Sequence, residues 1–175
     1  PNLLLIAGTG RKVGKTTLAC NLISQTAKVH SVTAIKISPH LHHQASGQDV
    51  IVRNKHFMII REHSRVNSKD SSRMLQAGAN QVYYLQTIDR HIAEPFNILM
   101  QMISDQTPVI CESGALLNRV RPGLFLLVRR QGQTSYKKGI DRLSYKPDQV
   151  MTFNGNAYNP DPDLILFGEN GWKIT

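Results

Sequence analysis

Residues 3–17, Leu-Leu-Leu-Ile-Ala-Gly-Thr-Gly-Arg-Lys-Val-Gly-Lys-Thr-Thr, constrain this chain more than any other stretch. The apolar run Leu3–Ala7 predicts a buried strand. Gly8 and Gly10 predict a loop, and a helix is expected from about Gly14 to Lys28, with Leu18, Ala19, Leu22, Ile23 and Ala27 at helical spacing. A glycine-bearing loop between strand and helix turns backbone N–H groups toward phosphate oxygens, and the helix N-terminus adds partial positive charge. In that arrangement Lys15 reaches the β- and γ-phosphates, and Thr16 turns its hydroxyl toward a magnesium ion. The strict spacing G-x-x-x-x-G-K-[ST] asks for glycine at position 9, where this chain has Thr9 between Gly8 and Gly10.

Further along, Val32–Ile37 reads as a second strand, stopped by Ser38-Pro39. Val50–Val52 and Phe57–Ile60 flank Asn54-Lys55 and predict a hairpin. A short helix is expected over Ser72–Ala77, ending at Gly78, and a strand over Gln81–Leu85. Phe96, Leu99, Met100 and Ile103 fall at i, i+3, i+4 and i+7 of a helix starting near Glu94, with Pro95 in its first turn. Strands follow at Pro108–Glu112 and Gly123–Arg129, then a polar helix or loop to Leu143, then strands Gln149–Phe153 and Leu164–Phe167. Alternating strands and helices imply βαβ crossovers and an α/β fold whose mostly parallel sheet is covered on both faces. Ligands of such sheets bind at the carboxyl ends of the strands.

The strand ends carry the chemistry. Lys36 lies near the end of an otherwise apolar strand, and a lysine there is costly to bury unless an anion meets it, so a substrate or phosphate contact is expected. The loop after it holds His40, His42 and His43. Structural zinc takes four ligands and neither cysteine is adjacent in sequence, so a polar loop lining a ligand site or facing solvent fits better than a metal site. Pro108-Val-Ile-Cys-Glu112 is an apolar strand ending in an acid, the Walker B arrangement, which places a carboxylate where it can hold magnesium. The plainer reading of Glu112 is an acid capping the next turn. Asp70 alone reads as a helix N-cap. Asn154 reads either as a turn residue or as an amide facing a nucleobase.

At 175 residues the chain suits one domain, spanning 1–175. No apolar run approaches the roughly 20 residues of a membrane span, so no membrane association is expected. Pro1 is what removal of an initiator Met leaves, and no basic leader precedes the first strand, so a cytoplasmic location is expected. Cys20 and Cys111 fall in a predicted helix and strand and read as separate buried thiols. The net charge of +9 is uneven. Residues 113–146 carry Arg119, Arg121, Arg129, Arg130, Lys137, Lys138, Arg142 and Lys146 against Asp141 alone. Without aromatic interleaving or a nucleic-acid-reading motif, that surplus points to phosphorylated small molecules and makes nucleic acid an unlikely partner.

Taken together these positions resemble the P-loop nucleotide-binding proteins, in particular dethiobiotin synthetase and the molybdopterin-guanine dinucleotide biosynthesis protein B family. The loop Gly8-Thr9-x-x-x-Val13-Gly14-Lys15-Thr16 is spaced like that of the synthetase, which also has threonine at the second position. Lys69-Asp70-Ser71 followed by Gln76-Ala77-Gly78-Ala79, and Lys36 followed by His40, are similar to the molybdopterin family. Ser68 departs from that pattern, as does an insertion-like stretch over residues 44–67.

The resemblance implies a three-layer P-loop NTPase fold and binding of ATP or GTP with Mg2+. Phosphate and nucleotide contacts would fall on Gly8, Thr9, Gly10, Arg11, Lys12, Val13, Gly14, Lys15, Thr16, Thr17 and, at the base, Asn154. Thr16, Asp70 and Glu112 would organise the metal, and Lys15 and Lys36 would be catalytic. Lys36 and the histidine loop would face a second anionic ligand, either a small molecule or a partner protein. A homodimer is also implied. Three activities follow as expectations: a nucleotide-binding NTPase, an ATP-dependent ligase or small-molecule kinase, and a non-catalytic nucleotide-dependent adaptor.

Overall fold

The structure, a computed structural model, describes residues 1–41, 48–117, 119–138, 143 and 145–175. Its centre is a sheet of nine strands in the order β3-β4-β5-β2-β6-β1-β7-β8-β9. These are β1 (Leu3–Gly8), β2 (Thr33–Ser38), β3 (Asp49–Arg53), β4 (Phe57–Arg61), β5 (Gln81–Thr87), β6 (Val109–Glu112), β7 (Leu124–Arg130), β8 (Gln149–Phe153) and β9 (Tyr158–Asn159). From β5 through β2, β6, β1 and β7 to β8 every pairing is parallel. The β3–β4 hairpin and β9 add antiparallel edges. Three α-helices lie among the described residues: α1 (Lys15–Thr26), α2 (Asp70–Gln76) and α3 (Ala93–Met102). A two-stranded sheet, β10 (Ile165–Gly168) with β11 (Gly171–Ile174), stands apart from the main one.

Strand alternation divides the core in two. Leu4 and Ile6 of β1 share a cluster with Leu18, Leu22 and Ile23 of α1 and Met74 and Leu75 of α2. Leu3, Leu5 and Ala7 share the opposite cluster with Phe96 and Leu99 of α3 and with Leu116. After β1 the chain therefore leaves toward one face, and after the neighbouring β6 toward the other. Such a divergence opens a crevice at the carboxyl ends of the two strands.

Several expectations need correction. The crossovers from β6 to β7 and from β7 to β8 contain no α-helix among the described residues, so strand–helix alternation holds only through α3. The segment read as a polar helix or loop to Leu143 is turn and irregular chain over 131–138, with no helix there, and its residues 139–142 lie outside the described residues. The final strand is not part of the main sheet: β10 turns back on β11, and Phe167 meets Trp172 edge-on. Helix α2 begins at Asp70, two residues before the expected start. The 49–62 hairpin forms as expected, with the Asn54 side-chain oxygen accepting from the backbone N–H groups of His56 and Phe57. Cys20 is half-buried, Cys111 is buried, and both are free thiols.

Candidate functional site

The loop after β1 is built by close approach. A Cβ on Gly8 would lie 2.7 Å from Lys15 Cδ and 2.8 Å from Val13 Cγ2, so the lysine stem runs directly over this backbone. Gly14, the residue preceding α1, has φ +103, a left-handed conformation that glycine adopts without strain. Among the described residues no side chain caps the helix start, and its first turn carries no acid. The Tyr158 hydroxyl donates to the Gly14 carbonyl at 2.6 Å, and its ring stacks on Phe153. Burial pushes the Tyr158 phenol up to about 12.

Thr9 explains the departure from the strict spacing. Its N–H donates to the Val128 carbonyl, carrying the β1–β7 ladder one residue further. Its hydroxyl lies 2.6 Å from Gln133 Oε1, and its carbonyl accepts from the Lys137 N–H at 2.7 Å. A glycine would lose the hydroxyl tie. The loop after β1 and the basic segment after β7 are thus one hydrogen-bonded unit.

The charged centre follows from strand register. Lys36 of β2 is the direct neighbour of Glu112 of β6, which in turn neighbours Ile6 of β1. Ile35, Ile37 and Cys111 face the α3 side, so alternation sends Lys36 and Glu112 to the side of α1 and α2. There Glu112, only 2% exposed, accepts from the Thr16 hydroxyl at 2.8 Å and from Lys36 Nζ at 2.7 Å. Lys36 Nζ also lies 2.7 Å from Asp70 Oδ2, at the start of α2. Four elements thus bring Thr16, Lys36, Asp70 and Glu112 together.

Electrostatics match this geometry. Burial pulls the Lys36 ammonium down, but Glu112 and Asp70 outweigh it and hold the group above the ordinary lysine value. Burial pushes the Asp70 carboxyl up, and Lys36, Thr16 and Arg73 together more than reverse this, leaving it below the usual carboxylate range. The Lys15 ammonium, donated to the Gly10 carbonyl at 2.8 Å, is lowered chiefly by burial, with Lys36 and Lys137 adding to the effect against Glu112 and Asp70.

The plainer readings of the two acids do not hold. Lys69, not Asp70, occupies the cap position of α2, and Ser113 Oγ, not Glu112, accepts from the N–H groups of Ala115 and Leu116. Asn154 does behave as a turn residue: its side-chain oxygen accepts from the N–H groups of Asn156 and Ala157. The anions meeting Lys36 in this chain are its own carboxylates.

A cleft of about 1400 Å³ opens in front of this centre. Gly8, Thr9, Gly10, Arg11, Lys15 and Lys36 form one part of its wall. Arg119, Lys137 and Lys138 line it as well, as do Tyr136 and Tyr84, the strand neighbour of Lys36, and none of the described lining residues is acidic. His40 lines the cleft as well; His42 and His43 lie outside the described residues. Among the described residues no group of three His, Cys, Asp or Glu side chains is arranged to hold a metal, and no helix is long and apolar enough to cross a membrane. Gln133, Tyr158 and Tyr84 were not legible as site residues. Arg119, Lys137 and Lys138 were visible only as part of a basic stretch, of which Arg129 and Arg130 turn instead to Thr152 and Phe153.

The chain matches no protein-family model, no curated protein and no solved structure.

Proposed function

We propose that this chain is a three-layer P-loop NTPase of cytoplasmic location that binds ATP or GTP with Mg2+ in the cleft between the β1 and β6 strand ends. The convergence of Thr16, Lys36, Asp70 and Glu112 beneath the uncapped start of α1 carries this reading. A wall with Arg11, Lys15, Arg119, Lys137 and Lys138 and no acid among its described residues gives it the charge a triphosphate requires.

In this reading the Gly8–Thr17 loop holds phosphate oxygens by backbone N–H groups. Lys15 leaves the Gly10 carbonyl for the β- and γ-phosphates, exchanging a neutral acceptor for an anion. The donor set suits magnesium: the Thr16 hydroxyl and the two carboxylates are hard oxygen ligands, and phosphate and water would complete six positions. When bound, the ion neutralises charge developing on the phosphoryl oxygens.

The cleft exceeds the roughly 300–1,000 Å³ common for a single ligand. Its Arg119–Lys137–Lys138 wall supports a second anionic ligand, as in an ATP-dependent ligase or small-molecule kinase.

Thermal denaturation with ATP or GTP, with and without Mg2+, tests the proposal. Saturating nucleotide with Mg2+ should raise Tm by about 5–10 °C, and less without the metal. No shift with either nucleotide at millimolar concentration overturns it.

A further inference from the structure

We infer that Lys36 is the resident cation of the proposed magnesium site, so that metal enters only when a triphosphate is present to receive the displaced ammonium. The inference rests on the nucleotide reading above and concerns how that site is controlled.

The Lys36 ammonium lies 2.7 Å from Glu112 Oε1 and 2.7 Å from Asp70 Oδ2, filling the gap between the two acids. The second oxygen of Glu112 is taken by the Thr16 hydroxyl. Every protein group proposed to bind metal is therefore already tied into one network with this lysine. Glu112 is buried to 2% exposure, and a carboxylate so enclosed is strongly disfavoured without a cation beside it. An ammonium and a divalent ion in the same contact repel one another. The site holds one or the other.

Where the ammonium can go decides when the exchange happens. Lys36 keeps 19% side-chain exposure and already lines the cleft, so rotation of its flexible stem brings it to the cleft interior. With the cleft free of ligand, that interior offers Arg11, Lys15, Lys137 and Lys138 and no described acid, a repulsive destination. A bound triphosphate reverses the sign. Nucleotide and metal must therefore strengthen each other's binding, by the same factor in each direction. The exchange also delivers the Lys36 charge to the reacting phosphate or second anion at the moment the metal arrives.

Mn2+ titration followed by electron paramagnetic resonance, without nucleotide, tests this on the full chain. Wild type should bind Mn2+ weakly, and Lys36→Met and Lys36→Gln at least tenfold more tightly. Adding Glu112→Gln to either variant should remove the gain. Equal Mn2+ affinity in wild type and folded variants overturns the inference, as does a gain that survives Glu112→Gln. Should both variants be unfolded in metal-free buffer, refolding by Mn2+ supports the inference, and failure to refold at millimolar Mn2+ overturns it. A fluorescent ATP or GTP analogue with Mg2+, bound to wild type in parallel, separates the two levels. Analogue binding with unchanged Mn2+ affinity defeats only the exchange, whereas no analogue binding defeats the nucleotide reading beneath it.

Discussion

The Thr16 hydroxyl meets Glu112 Oε2 at 2.8 Å, joining the first turn of α1 to the tip of β6 across 96 residues of sequence. This bond ties the start of α1, just after the β1 loop, to the buried acid. Thr16→Val keeps the shape but leaves a buried carboxylate oxygen without that donor. It should cost about 1–3 kcal/mol in urea denaturation. A variant as stable as wild type would show that the bond contributes nothing to the fold.

Lys15→Ala separates binding from stability. The lysine's side-chain hydrogen bond is to the Gly10 carbonyl, a contact at the cleft wall, so the variant should stay within about 1 kcal/mol of wild type. Its charge-assisted phosphate contacts are lost, and calorimetry should show nucleotide affinity falling about 100-fold or more. Unchanged affinity would remove Lys15 from the site.

Two glycines should behave differently. At Gly14 a methyl would meet Phe153 Cδ1 at 2.7 Å on a backbone with φ +103, so Gly14→Ala should destabilise the fold by about 1–3 kcal/mol. At Gly8 the methyl would meet the Lys15 stem and Val13 Cγ2, both side-chain atoms. Gly8→Ala should therefore weaken nucleotide binding more than it lowers Tm. Parallel thermal and calorimetric measurements distinguish the two patterns.

The ion-pair network has a pH signature. The Asp70 carboxyl is lowered on folding, so its contribution to stability is present above its unfolded value of about 3.9 and is lost as pH falls through the folded value. Lys36 is raised, so its contribution is present below about pH 10.4 and is lost as pH rises through the folded value. The stability difference between wild type and Asp70→Asn should be largest near neutrality and shrink below about pH 4 in urea titrations. A difference independent of pH would show that Asp70 acts by packing rather than by charge.

Local signals carried much of the architecture. The β1–loop–α1 unit was readable because its apolar run, glycines and helical spacing are contiguous, and Gln149–Phe153 was readable to the residue for the same reason. Lys36 and Glu112 stood out singly, each a charge at the end of an apolar strand. That they pair with each other was hidden, because it depends on β2 lying beside β6 in the sheet. The β10–β11 hairpin escaped because Trp172 and Phe167 stabilise it from neighbouring strands of a separate sheet, without the alternation of a longer strand.

Residue order alone determined that this chain holds a strand, a glycine loop and a helix in succession, since hydrophobic periodicity and backbone freedom are short-range properties. It also marked lysine 36 and glutamate 112 as charges at the ends of apolar strands, the lysine in need of an anion if buried. Which charge each receives was decided only by tertiary packing. Parallel register set β2 against β6, and α1 and α2 closed over the same face, so residues from four distant segments share one buried centre. Electrostatic pairing in a low-dielectric interior acts over a few ångströms of space, and distance along the chain does not report it.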